Sequence, residues 1–234
     1  MNWITYIFYF LVLFGLAGYG FHRLTTLYLY FKHAKDVPVP MRKYSADELP
    51  IITMQLPCFN ELHVIERLID HVSQIDYPKD KFQIQILDDS TDETTEICKQ
   101  QIARLHALGF DAEYIHRTDR IGFKAGALEN GTKTAKGELL FILDADFAPH
   151  ADVLLRTVDH FTDPTVGMIQ TRWGHLNREY NMLTRIQAMF LDGHLELEQT
   201  ARNRSGRFFT FNGTGGMWRK SCIEDAGGWE HDTL

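Results

Sequence analysis

Polar and apolar positions fall into two regimes along this chain. From Trp3 to Phe21 there is no charged side chain and little polarity of any kind. A helix over this stretch would span about 28 Å at ~1.5 Å per residue, close to the ~30 Å hydrocarbon core of a bilayer. Trp3, Tyr6 and Tyr9 cluster near one end and Tyr19 near the other, as interfacial aromatics do. No Lys or Arg precedes the run and no Ala-x-Ala site follows it, which weakens a cleaved signal peptide. Arg23, Lys32, Lys35, Arg42 and Lys43 all follow, so the rule of positive loops places the rest of the chain in the cytoplasm. The expectation is a single-pass anchor in the cell membrane over residues 1–35. A linker over 36–50, stiffened by Pro38, Pro40 and Pro50, leads to a cytoplasmic domain over 51–234.

Beyond Pro50, short apolar runs alternate with one-faced helical patterns. Ile51 to Leu56 predicts a strand. Leu62, Ile65, Leu68, Ile69 and Val72 then repeat at helical spacing, with Asn60 placed to cap that helix. Phe82 to Leu87 predicts a second strand, and Ser90 with Glu93 predicts a capping box ahead of a helix through Leu105. A third strand over Glu113–His116 precedes a helix opened by Arg120–Leu128, and the unbroken run Leu139–Leu143 predicts a strand buried on both faces. Tyr180 to Gln199 predicts a helix whose Leu183, Ile186, Phe190, Leu191 and Leu195 face the core. Alternating strands and helices imply a doubly wound, mostly parallel α/β sheet with a ligand crevice at its strand ends.

Net charge of −7 argues against nucleic acid as a partner. The three cysteines, Cys58, Cys98 and Cys222, are scattered without a C-x-x-C pair and favour a reducing compartment.

The candidate chemistry sits where the strands stop. Residues at i and i+2 of a strand point to the same face, so Asp144 and Asp146 are expected to converge where the Leu139 strand ends. Such a pair suits Mg²⁺ or Mn²⁺, although strand-ending aspartates are also common helix caps. Asp88 and Asp89 either begin a turn or accept hydrogen bonds from a nucleobase or ribose. Arg120 and Lys124 are either solvated cations or flank a phosphate at the helix start marked by Gly122. Neither G-x-x-x-x-G-K-[ST] nor G-x-G-x-x-G occurs, which removes most support for NTP hydrolysis and nicotinamide chemistry.

In order, Pro57-Cys-Phe-Asn-Glu61, Asp88-Asp-Ser-Thr-Asp92, Arg120-Ile-Gly-Phe-Lys-Ala-Gly-Ala-Leu128 and Asp144-Ala-Asp146 resemble the motifs of family 2 glycosyltransferases. Leu183-Thr-Arg-Ile-Gln187, Leu191-Asp-Gly-His194, Glu198-Gln199, Phe211-Asn-Gly-Thr-Gly-Gly-Met-Trp-Arg219 and Gly227-Gly-Trp229 resemble its cellulose-synthase-like branch, which includes mannan and glucomannan synthases. The resemblance implies a GT-A-like fold and an inverting transfer of a hexose from a nucleotide sugar, GDP-mannose or UDP-glucose. The acceptor would be a β-linked polysaccharide, or alternatively a lipid or lipid-linked sugar. It further implies that Phe59, Asn60, Glu61, Asp88 and Asp89 hold the nucleoside. Arg120, Lys124 and Asp144 would lie near the diphosphate, Asp144 and Asp146 would bind the metal, and Phe211, Asn212, Gly213, Thr214 and Gly215 would border the acceptor. The family's catalytic base belongs to a Thr/Val-Glu-Asp motif that would begin where this sequence ends, at His231-Asp232-Thr233-Leu234. The base is therefore expected just beyond Leu234, and neither Glu230 nor Asp232 is assigned that role. A chain that lacks the motif would bind donor without turning it over, and this nucleotide-sugar-binding fragment is the alternative of another class.

Overall fold

The computed structural model describes residues 2–231. It opens with α1 (Trp3–His33), whose residues are all outside any core. This helix is long and apolar enough to cross a membrane, a test that a signal sequence near an N-terminus also passes. The chain then folds as two compact units interleaved in sequence. One comprises residues 1–38 and 172–210, the other residues 39–171 and 211–234.

The second unit is built on a six-stranded sheet. In chain order its elements are β1 (Ile52–Cys58), α2 (Ile65–Val72), β2 (Phe82–Asp88), α3 (Thr94–Ala107), β3 (Asp111–His116), α4 (Phe123–Thr134), β4 (Leu139–Ile142), α5 (Val153–Val158) and β5 (Met168–Gln170). The strands lie in the order β3-β2-β1-β4-β6-β5, where β6 is the later segment Gly216–Arg219. β1 runs parallel to β2 and β4, and β2 parallel to β3. β6 alone is reversed, pairing antiparallel with β4 and β5. The sheet is therefore mixed at one edge, where the sequence pattern predicts only its parallel part.

β1, β2 and β4 are buried on both faces, but the faces differ. Ile52, Met54 and Leu56 pack with Ile84, Ile86 and Phe141 against Ile65, Leu68, Ile69 and Val72 of α2 and Cys98 and Leu105 of α3. The opposite face carries a buried polar ladder. Thr53 donates to Gln83 Oε1 at 2.7 Å, Gln55 to Gln85 Oε1 at 3.0 Å, and Gln85 in turn to the Gly131 carbonyl of α4 at 3.0 Å. The donors of this ladder are paired, whereas the buried Gln55 Oε1 has no hydrogen-bond partner among the described residues. These side chains also fix the position of α4, whose first turn carries Lys124.

In the first unit, α6 (Met182–Asp192) is capped by Asn181, whose side chain accepts from the Thr184 amide at 2.9 Å while Thr184 returns a bond to the Asn181 amide. It runs into a π-helical stretch over Gly193–Gln199 and then α7 (Thr200–Arg204). α1 packs on this segment. Arg23 pairs with Glu198 at 3.1 Å, and the Arg204 guanidinium donates to the Ala34 carbonyl. The face expected in the core is there only in part: Leu195, in the π-helical stretch, is buried and Ile186 and Leu191 are half-buried. Thr184 and Ala188 are buried, whereas Leu183 and Phe190 are 63% and 71% exposed, with Met182 and Met189 beside them. Small residues let the helix approach its neighbours, and the larger apolar stripe faces outward. A last helix, α8 (Lys220–Asp225), follows β6 in the second unit.

Candidate active site at the strand ends

Because β1, β2 and β4 are parallel, their carboxyl ends open on one side of the sheet. There a cleft of about 280 Å³ is lined by Phe59, Glu61, Asp89, Arg120, Lys124, Asp144 and Asp146, with Pro57, Cys58, Ala127 and Ala145 completing the wall. Seven of the expected donor and metal residues thus reach one space. Asn60 and Asp88 stand outside this lining.

Asn60 adopts a left-handed backbone, φ 56°. Its amide donates to Ser90 Oγ at 2.9 Å, and its side-chain oxygen accepts from the Thr91 amide at 2.9 Å. The two residues expected to cap helices instead tie the end of β1 to the end of β2. α2 begins at Ile65, after Asn60 has turned away, and α3 begins at Thr94, whose amide is taken by Asp92 at 2.9 Å.

Asp88 is 1% exposed. Its carboxylate accepts from the Ser90 amide at 2.9 Å, Thr95 at 3.0 Å and Tyr114 at 2.7 Å, with His116 Nδ1 at 3.2 Å. Burial pushes its pKa up, but the bonds from Ser90, Tyr114 and Thr95 outweigh that and hold it below the ordinary carboxylate value. With its oxygens engaged and no open face, Asp88 anchors the strand end rather than the cleft wall. Asp89, 6% exposed, is held by Arg117 through a two-pronged pair of 2.8 and 2.5 Å. Sequence reasoning missed Arg117. Its guanidinium also donates to the Ile121 and Phe123 carbonyls, both at 2.9 Å, and so shapes the turn that launches α4. The available signal was its place directly after β3, opposite the aspartates.

That turn is conformationally demanding. Arg120 and Phe123 have φ of 51° and 47°, and Gly122, the N-cap of α4, has φ 70°. Two non-glycine residues in the left-handed region are held there by the Arg117 bonds and by stacking of the Arg120 guanidinium on the Phe59 ring, 3.2 Å from its centroid. Gly126 allows the first turn to close, since a Cβ would meet the Ile121 carbonyl oxygen at 2.1 Å.

β4 ends at Ile142, so Asp144 and Asp146 lie in the loop beyond it. Their convergence comes from a turn in which the Phe147 amide donates to the Asp144 carbonyl at 3.2 Å, not from strand pleat as expected. Arg67 of α2 holds the Asp146 carbonyl at 3.0 Å. Burial, followed by the charges of Asp146 and Asp144, raises the Glu61 carboxyl pKa, which marks three carboxylates sharing one region. Lys124 pairs with Asp144 and donates to the Gly213 carbonyl at 2.7 Å.

The expected acceptor segment is stitched to the same place. The Asp144 amide donates to Thr214 Oγ1 at 2.9 Å, the Gly215 amide to the Ile142 carbonyl at 2.9 Å, and the Asn212 amide to Gln170 Oε1 at 2.9 Å. Phe211 packs edge-on against Trp218, which meets Trp229 in the same way, so Trp218 serves the core. Of the residues near the chain end, Glu230 is exposed, and Asp232 lies outside the described residues.

The oxygen-only set of Glu61, Asp144 and Asp146 fits a hard divalent cation. Among the described residues, the three whose ligand atoms lie within 4.8 Å of one another are instead Cys58, Asp88 and Cys98, all buried. Cys98 and then burial push the Cys58 thiol far above its ordinary range, and Asp88 is already bonded, so this cluster behaves as protonated packing.

Residues 54–224 match the family described as Glycosyl transferase family 2. Over 191 residues the chain is 40% identical to the probable glucomannan 4-beta-mannosyltransferase 7 of Oryza sativa subsp. japonica, covering 80% of this chain and 33% of that protein. It is 39% identical over 189 residues to glucomannan 4-beta-mannosyltransferase 1 of Cyamopsis tetragonoloba, covering 79% and 36%. The chain thus spans about a third of the length of these curated relatives. Among solved structures it resembles the mannosyltransferase PcManGT from Pyrobaculum calidifontis in complex with GDP-Man and Mn²⁺, with TM-score 0.72 and 25% identity, covering 93% of this chain and 59% of that one. The S. aureus TarS fragment 1–349 in complex with UDP shares the fold at TM-score 0.57 and 17% identity, over 77% and 50% of the two chains.

Proposed function

The chain belongs to glycosyl transferase family 2, and from that premise we propose that it transfers a mannosyl unit from GDP-mannose to a β-linked polysaccharide, inverting the anomeric carbon. One observation carries the reading. Glu61, Asp144 and Asp146 converge beside Lys124 in a single cleft at the strand ends, where a sugar diphosphate and a divalent cation would be held together. Similarity to proteins named glucomannan mannosyltransferases and to an archaeal mannosyltransferase solved with GDP-Man supports GDP-mannose as the donor in this reading.

Mg²⁺ or Mn²⁺, held by Asp144 and Asp146, would offset charge developing on the leaving diphosphate. Lys124 adds an ammonium from the first turn of α4, where the helix dipole also favours an anion. Phe59 and Arg120 offer a flat stacked wall for the nucleoside. Asp88 and Asp89 act on the donor by fixing the strand end and the α4 turn. Phe211–Gly215 borders the acceptor hydroxyl, and no described residue is assigned as the general base.

Membrane association is part of the proposal. It rests on α1 and on the outward apolar stripe of α6, which belongs to the same unit. The same stripe favours a second reading in which the acceptor is lipid-linked. Calorimetric titration of the detergent-purified chain with GDP, UDP and their sugar conjugates tests the donor. Binding of GDP-mannose that needs Mn²⁺ and disappears with EDTA is expected. Failure of every nucleotide to bind would overturn the reading.

A further inference from the structure

Lys124 has two jobs that cannot be done at once. The family reading sends its ammonium to the donor diphosphate, yet in the structure that ammonium is committed elsewhere. It caps the Asp144 carboxylate and simultaneously holds the Gly213 carbonyl at 2.7 Å. Gly213 has φ 80°, and among the described residues Lys124 Nζ is the one heavy atom within 4 Å of where a Cβ would stand, at 3.9 Å. Thr214 accepts the Asp144 amide at 2.9 Å from the other side. The metal-site carboxylate and the acceptor-bordering segment are therefore clasped together by one movable cation and one fixed hydrogen bond. The Lys124 and Asp144 side chains are 37% and 35% exposed, so the pair is water-screened and readily exchanged.

We propose that Lys124 is a place-holder for the divalent cation and that donor loading drives an exchange. With cation and diphosphate bound, Asp144 would turn from the ammonium to the cation, and the Lys124 ammonium would pair with the diphosphate oxygens. No bond is made or broken covalently, and one positive charge leaves Asp144 as the cation's charge arrives. The Gly213 carbonyl then loses its donor, and the segment that borders the acceptor is loosened only after the donor is in place. This inference rests on the assignment of Asp144 and Asp146 as the cation site.

The test is Mn²⁺ binding to the detergent-purified chain without nucleotide, read by the electron paramagnetic resonance signal of free Mn²⁺, for the parent, Lys124→Met, Lys124→Gln and Asp146→Ala. With the competing ammonium gone, both Lys124 variants should bind Mn²⁺ at least about tenfold more tightly, or about 1.4 kcal/mol. The same variants should bind GDP with Mn²⁺ more weakly than the parent. Hydrogen exchange gives the second readout. Amides of 211–215 should exchange faster in the parent once GDP and Mn²⁺ are added, and already be fast in ligand-free Lys124→Met, while β1 and β2 stay protected. Unchanged or weaker Mn²⁺ binding by the Lys124 variants, with Asp146→Ala still defective, would overturn the place-holder and leave the cation site standing. Parent-like Mn²⁺ binding by Asp146→Ala would overturn both.

Discussion

Replacing Arg117 with Ala is the sharpest probe of how this site is held. The Arg117 and Asp89 side chains are only 12% and 5% exposed, and they meet through two nitrogens and two oxygens. Removing the guanidinium leaves the Asp89 carboxylate buried without its counter-charge. Breaking one side of such a pair costs about 3–5 kcal/mol. The Ile121 and Phe123 carbonyls, freed at the same time, lie toward solvent and regain water, so they add little. For a chain of this size the loss corresponds to a fall in melting temperature of roughly 6–20 °C, at ~2–4 °C per kcal/mol. Denaturant unfolding followed by tryptophan fluorescence measures it. Asp89→Ala should cost less, because Arg117 keeps its two carbonyl acceptors and reaches water. The double variant should be more stable than Arg117→Ala alone, since no orphaned carboxylate remains. Donor affinity should drop in Arg117→Ala as the 117–123 turn relaxes. A loss below about 1 kcal/mol, or simple additivity in the double variant, would refute the assignment of a buried, mutually dependent pair.

Three other outcomes follow from the same coordinates. Asp146→Ala should abolish metal-dependent donor binding while shifting stability by no more than about 0.5 kcal/mol, because its side chain is exposed; calorimetry with intact binding would sink the metal assignment. Asp88 is held below its ordinary pKa, so its stabilisation is complete above the unfolded value of ~3.9 and is lost as the pH falls through the lowered native value. Asp88→Asn should therefore be less stable at neutral pH and show a flatter acid limb, and parallel pH–stability curves for the two proteins would contradict this. Leu183→Ser with Phe190→Ser should weaken flotation with liposomes without lowering thermal stability, since both side chains point outward; a large loss of stability would return that stripe to the core.

Much of the second unit was legible because burial on both faces leaves an unbroken apolar signature, as in Leu139–Leu143. The reversed strand β6 was not, since Gly216–Arg219 carries only a short mixed pattern and its pairing is fixed by distant β4 and β5. Local cap rules misassigned Asn60 and Ser90 because the partner each one prefers lies 30 residues away at the neighbouring strand end. Asp144 and Asp146 line one cleft from a turn beyond β4, not from the strand pleat that the i, i+2 spacing suggested. α6 was misread at Leu183 and Phe190 for a reason of scale. Large apolar residues signal a core only when something covers them, and here Thr184 and Ala188 make the close approach. Arg117 escaped notice because its importance depends on Asp89 being buried, which single residues cannot announce.

The excursion over 172–210 leaves the sheet just after β5 and returns just before β6, two strands paired side by side with Gln170 opposite Gly216. The Thr171 amide and the Gly215 carbonyl, at the two edges of the excursion, are joined at 2.9 Å. Topologically it is a detachable cassette with abutting splice points. Such a cassette could be lengthened, shortened or exchanged while the strand register beneath the cleft stayed unaltered. A protein engineer could use the same seam, closing β5 onto β6 with a short hairpin turn to obtain the sheet unit as a separate object.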